Sequence, residues 1–455
     1  MFPLALGQLR RRPAAFAGLA VALFLLAATT TLFGSLVAAD VTAPETARHT
    51  EVAGPGPMVI AGAFGEIAVL VAFFAVVNAT GFALRRQLRE LALLRTIAAT
   101  PRQVRRLVRA QLLTTTLAVA APGGLAGTAA AHHFLAALRE RGMAAPDLRV
   151  PTTPLPALAA TAITLAVGLA ASAVAVRRIS RIAPAAALTA ASTEHGRTGL
   201  PRLLAGVCAL AGGVLLLRLA ATRPADELDK AGQAALLGSL VLLVAVALTG
   251  PLAARALVAA LGTPMRLLMP GTGWLAEANL RGYARRLTSA VVPVALLVGL
   301  SATMSIMTST AEHAARATSA TSATDVWLRQ AELALLTCFA AVSTINTVVA
   351  VTAERRREFA LLRLVGATRR QLLRMLTAEA ALTTAVGILL GASVAAAATA
   401  AFSAAATGSA VPAVPAAACG WIAAGAAALT VPGILATGLR TIQGPPTEQA
   451  GSARD

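Results

Sequence analysis

Acidic, amide and guanidinium side chains gather in one short stretch of an otherwise apolar chain. From Glu358 to Glu379 the sequence reads EFALLRLVGATRRQLLRMLTAE, placing Glu358, Gln371 and Glu379 among Arg363, Arg369, Arg370 and Arg374. Such a mixture makes ion pairs, holds anionic lipid headgroups or docks against another protein. Bond-breaking chemistry asks for other sets, and they are missing from the sequence pattern. Neither a Ser/His/Asp nor a Cys/His constellation emerges. His132 and His133 are adjacent, so on a helix they point apart, and no carboxylate or cysteine cluster joins them; no metal site is expected. Cys208, Cys338 and Cys419 are isolated in apolar runs and read as small core residues. The single lysine, Lys230, does not follow a glycine, so the chain has no P-loop and is not itself an ATPase. An enzyme is not expected.

The charged stretch recurs. An offset of 268 lays Arg357, Glu358, Leu362, Arg363, Thr368, Arg370 and Gln371 on Arg89, Glu90, Leu94, Arg95, Thr100, Arg102 and Gln103, all identical pairs. Thr368 with Gln371, and Thr100 with Gln103, each fit a capping box that starts a helix. Gly366 suits the left-handed residue that closes the helix before it, and Pro101 suits a first helical position. A helix that stops, turns and restarts is therefore predicted in both places. Before the second turn, Phe359, Leu362 and Val365 are expected to share one face, away from most of the arginines. Lipid anchoring and protein docking both account for such a helix. Anchoring explains scattered arginines, whereas docking also explains why Glu-x-Ala-Leu-Leu-Arg returns position for position.

The elements that must position these stretches are membrane spans. Of 455 residues, 57% are hydrophobic and 13% charged, where a soluble chain carries about a quarter charged residues; mean hydropathy is +0.73. Ten apolar runs are long enough to cross a bilayer: 14–38, 61–84, 111–136, 155–176, 201–219, 233–254, 287–308, 331–352, 380–403 and 412–437. The first is too long for a signal peptide core and is read as a retained helix. Net charge is +19, but 30 of the 39 basic residues and only 8 of the 20 acids fall in alternate connecting segments and the two ends. By the positive-inside rule both termini are cytoplasmic, and the basicity reflects topology rather than nucleic-acid binding. The external loops, of about 20 residues, are too short for a domain with its own core.

Inside the spans, Glu66 and Glu332 lie near the outer ends of equivalent helices, and Asn78 and Asn346 pair at the same offset. Intramembrane carboxylates are candidate functional groups, although both sit close enough to the interface to be solvated. The asparagines fit interhelical hydrogen bonds. The predicted fold is thus an all-α integral membrane protein of about ten spans, without a large extracytoplasmic domain. A first four-helix repeat covers residues 1–182 and a linker with a central helix pair 183–262. A second repeat covers 263–439, and a polar cytoplasmic tail 440–455.

The segment RREFALLRLVGATRRQLLRMLTAEA resembles the signature of FtsX-like permeases, the membrane subunits of ABC transporters of the macrolide-exporter, lipoprotein-releasing and bacitracin-resistance type. Glu358, Leu361, Leu362, Arg363, Gly366, Ala367, Thr368, Gln371 and Glu379 stand where that pattern expects them, while the first copy carries Ala98 for the glycine and Gln111 for the glutamate. The resemblance implies that both stretches are coupling helices seated in a separate cytoplasmic ABC ATPase, engaged as a dimer. ATP and Mg would then be bound by that partner, with no cofactor in this chain. It also implies a multi-pass protein of the bacterial plasma membrane, surrounded by lipid and moving a hydrophobic compound, drug or lipid. The alternative is a mechanotransmitter that signals across the membrane without transport. A secondary transporter would call for paired midplane charges and broken helices, and the sequence shows little of either.

Overall fold

The structure, a computed structural model, describes residues 7, 13–44, 56–86, 100–180, 200–224, 227–268, 271–282, 284–316, 323–353 and 355–442. The regular elements among them are α-helices: α1 Pro13–Val41, α2 Gly56–Arg86, α3 Pro101–Glu140, α4 Leu155–Ser180, α5 Leu200–Ala221, α6 Leu228–Leu268, α7 Thr272–Gly282, α8 Ala284–Arg316, α9 Ala323–Ala353, α10 Arg356–Leu364, α11 Arg369–Thr407 and α12 Ala416–Ile442. Among the described residues nine helices are long and apolar enough to span a membrane: α1 to α6, α8, α11 and α12. The remaining expected run, 331–352, lies in α9, whose apolar part is the shorter stretch Ala340–Val349.

Contacts divide the chain into two compact units, residues 1–193 with 322–343 and residues 194–321 with 344–455. In the first, α1 packs against α2, α3 and α4. The approach of α3 to α1 is made by glycines. A Cβ on Gly123 would stand 2.8 Å from that of Ala27, and one on Gly127 would stand 2.6 Å from that of Thr31. Phe33 and Phe64 add an edge-to-face pair with centroids 6.2 Å apart between α1 and α2. Past the end of α3, Met143, Leu148 and Val150 are buried. There Arg141 lies 4.1 Å over the ring of Trp327, which stacks on Phe134 at 5.6 Å.

In the second unit α8 is central: 83% of its most apolar window is buried, against 22% for α5 and for α12. Its closest neighbour is α11, again through small residues. A Cβ at Gly391 would come within 2.7 Å of the Ala295 carbonyl oxygen, and Gly387 sits against Val294. Gly391 and Gly123 correspond at the offset of 268, so the same position permits close packing within each unit. Between spans that share a lipid solvent, such small-residue contact takes the place of a hydrophobic drive.

The helices contain proline, and α6 shows how its cost is met. Pro251 has no N–H to give the carbonyl of Ala247 four residues earlier. Arg202 of α5 supplies the missing donor, its Nη2 lying 2.9 Å from that oxygen and its Nε 3.1 Å from the Leu248 oxygen. A guanidinium inside a helix pair thereby finds acceptors, one of them the Ala247 carbonyl that Pro251 would otherwise leave orphaned.

These contacts predict a steric asymmetry between glycines. Gly391→Val should destabilise the chain by about 1–3 kcal/mol or more, the range for overpacked interiors. Gly425→Val, on α12 with nothing within 4 Å, should leave the midpoint of thermal unfolding in detergent unchanged. Equal midpoints for the two variants would mean that α8 and α11 do not meet at Gly391.

Candidate functional site

The stop, turn and restart predicted near Gly366 are present, and each hydrogen bond of the turn is accounted for. Helix α10 ends at Leu364 with Val365 as its cap. The Ala367 N–H donates to the Leu362 carbonyl at 2.9 Å, and the Gly366 N–H donates to that of Arg363 at 3.0 Å. That pairing is a Schellman motif, and it needs a left-handed residue; Gly366 supplies it at φ +102°. Leu362 and Ala367 then pack on the same apolar cluster, as such motifs require. Helix α11 restarts with a full capping box. The Gln371 N–H donates to the Thr368 hydroxyl at 3.3 Å, and the Thr368 N–H donates to Gln371 Oε1 at 2.9 Å. Thr100 and Gln103 repeat it at the start of α3, with 3.3 and 2.8 Å.

What anchors α10 is a buried ionic clasp. Arg355, 6% exposed, precedes the helix. Its Nη2 donates to Glu358 Oε1 at 2.9 Å and to Glu379 Oε1 at 3.1 Å, its Nε donates to Glu358 Oε2 at 3.1 Å, and its Nη1 makes a further short bond to Glu379 Oε2. Asn279 of α7 closes the set by donating to Glu379 Oε1 at 2.6 Å and Glu358 Oε1 at 3.1 Å. Burial by itself would lower the Arg355 proton affinity; the charges and hydrogen bonds of Glu379 and Glu358 more than offset this and hold it above its ordinary range. The guanidinium also lies 4.8 Å from the centre of the buried Phe359 ring.

The clasp sorts the predicted site residues into two groups. Glu358 and Glu379 turn inward onto Arg355. Gly366, Thr368, Arg370 and Gln371 are exposed along the turn and first turn of α11, while Leu362 and Arg363 are half-buried and Arg357 lies in α10. The expected shared face of Phe359, Leu362 and Val365 is corrected: Phe359 is fully buried, whereas Val365 is 89% exposed. Val365 keeps right-handed helical backbone at φ −77°, and six residues at 3.6 per turn set it about 120° round the helix from Phe359, off the inner face. Leu361 and Leu364, 49% and 53% exposed, join it outside. In the first copy Thr100, Arg102 and Gln103 are exposed at the start of α3; Arg89, Glu90, Leu94 and Arg95 lie outside the described residues.

Glu66 is exposed on α2, Asn78 half-buried there and Asn346 half-buried on α9, which also carries Glu332. His132 shares a 2.8 Å contact with the Thr128 carbonyl of its own helix. Two residues of the clasp escape a reading of the sequence. Asn279 is remote in the chain, and Arg355 hides in the run Arg355–Arg356–Arg357. One signal exists for Arg355. At the offset of 268 it falls on Gln87 while Glu379 falls on Gln111, so a charged pair in one copy answers to an amide pair in the other.

Removing Arg355 would leave two inward carboxylates without their cation. Arg355→Ala should therefore cost about 3–5 kcal/mol, read as an earlier thermal unfolding midpoint of the purified chain. Arg369→Ala, exposed at the start of α11, should cost under about 1 kcal/mol. If the two variants unfold together, the clasp does not hold α10.

A sequence model described as FtsX-like permease C-terminal matches residues 62–184 and matches again at residues 332–446, together just over half of the chain. Among curated proteins, none matches the chain.

Proposed function

The chain belongs to the FtsX-like permease family, and on that premise we propose that it is the permease subunit of an ABC transporter whose ATP is hydrolysed by a separate cytoplasmic ATPase. It is a multi-pass membrane protein, and the bacterial plasma membrane is the usual location of such permeases. The observation that carries the reading is the outward presentation of Leu361, Leu364 and Val365 beside Arg370 and Gln371. An apolar ridge flanked by polar groups at a capped turn fits a groove on a partner protein, and FtsX-like permeases generally work with a cytoplasmic ABC ATPase.

In this reading the α10–α11 turn docks, and Glu358 and Glu379 orient it through Arg355 rather than meeting the partner. The start of α3, with Arg102 and Gln103, docks as the corresponding element, so one chain engages an ATPase dimer. Both termini and both turns are cytoplasmic. The chain is two four-helix repeats flanking α5 and α6; the double family match and the equivalent glycines Gly123 and Gly391 support that layout. ATP and Mg reside in the partner, and the cargo is a hydrophobic compound, drug or lipid exported or extracted through the bilayer.

Docking through the ridge is tested by co-expressing the chain with a cytoplasmic ABC ATPase of its host that copurifies with the unaltered chain. Val365→Glu should lower copurification of the ATPase by about tenfold or more, the scale of a central interface residue. Val411→Glu, in the exposed loop after α11, should not change it. Equal recovery of the ATPase with both variants would assign the turn to lipid anchoring instead.

A further inference from the structure

Helix α7 meets the docking turn on one side and α6 on the other. Ala276 is fully buried in a cluster with Phe359, Leu372 and Leu376, and Asn279 donates to both carboxylates of the clasp. Two residues from Asn279 along the helix, Glu277 is 1% exposed. It accepts from Arg266 Nη2 of α6 at 2.8 Å, makes a second, shorter bond to Arg266 Nε, and accepts from Arg281 Nη1 at 3.0 Å. The carboxylate has a built seat. Gly262 of α6 lies so close that a Cβ there would stand 2.5 Å from Glu277 Oε2. Leu280 packs with Ala254 and Val258 of the same helix. Neither α7 nor α6 falls within the residues matched by the family model.

We propose that α7 is a strap that fastens the α10–α11 turn to the last turns of α6, so that a displacement of the turn is passed to the central helix pair. On its α6 side the strap is held by the Glu277–Arg266 pair and by Leu280, and on its α11 side by Ala276 and the Asn279 hydrogen bond to Glu379. One eleven-residue helix thus carries two fastenings that face different neighbours. Its functional meaning rests on the docking reading above, because a partner closing on the turn would pull α6 through Glu277 and Arg266. The fastening itself is a property of this chain alone.

Gly262→Ala is the cleanest probe. Alanine favours helix over glycine, so α6 is not weakened, yet the added methyl occupies the seat of the Glu277 carboxylate. Arg266 and Arg281, 44% and 47% exposed, remain solvated when it leaves. The measurement is amide hydrogen exchange of the full chain in lipid nanodiscs, without any ATPase. Residues Arg356–Leu364 should exchange about tenfold faster in Gly262→Ala, as expected when a local opening loses a charge-assisted contact, while the interior of α8 stays as protected as before. Unchanged exchange in α10, or an equal rise in α8, would overturn the strap. Should Gly262→Ala fail to accumulate, Arg266→Gln carries the same expectation from an exposed side chain. A strap that fails here leaves ATPase copurification untouched, and a docking failure leaves this exchange pattern untouched, so the two claims fall separately.

Discussion

A single buried guanidinium sets the geometry of the candidate site. Arg355 is out of water, and a charge so placed must keep its partners or raise the free energy of the fold. Its partners come from three elements: Glu358 in the first turn of α10, Glu379 on α11, and, through shared carboxylate oxygens, Asn279 on α7. Satisfying Arg355 therefore fixes where α10 lies on α11 and α7. Once α10 is fixed, Phe359 faces inward, the Schellman turn at Gly366 follows, and Val365 is carried outward. The exposed ridge is a consequence of the buried clasp.

The same economy of small residues and satisfied polar groups governs the spans. Gly123 and Gly127 admit α1, Gly387 and Gly391 admit α8, and Arg202 answers the carbonyls around Pro251. At the sequence level the two copies are unequal. Arg355 and Glu379 correspond to Gln87 and Gln111, which keep hydrogen-bonding capacity and lose the charge. In the second copy α7, with Glu277 seated against Gly262 and Asn279 on the clasp, adds a further hold.

Local chemistry was legible in the sequence and long-range pairing was not. Both capping boxes join residues three apart, and Gly366 stands where only glycine is easily left-handed, so the helix, turn and restart could be read directly. Nine of the ten expected spans likewise follow from hydropathy and length. The outward position of Val365 is contained in the spacing, since six residues at 3.6 per turn rotate it about 120° from Phe359. The clasp was hidden. Arg355 meets Glu379 across 24 residues and Asn279 meets that same carboxylate across 100, separations at which no periodicity links the partners. Acidic residues that look like contacts for a partner in the sequence are, in the fold, the groups that satisfy an arginine.

The central claim is that the α10–α11 turn presents Val365 to a cytoplasmic ATPase. Site-specific photocrosslinking tests it most directly: a photoreactive amino acid replaces Val365 in growing cells, and the covalent products are identified after irradiation. The expected product is an adduct with a cytoplasmic ABC ATPase subunit. Adducts with lipid alone, formed while that ATPase is present and copurifies with the chain, would contradict it.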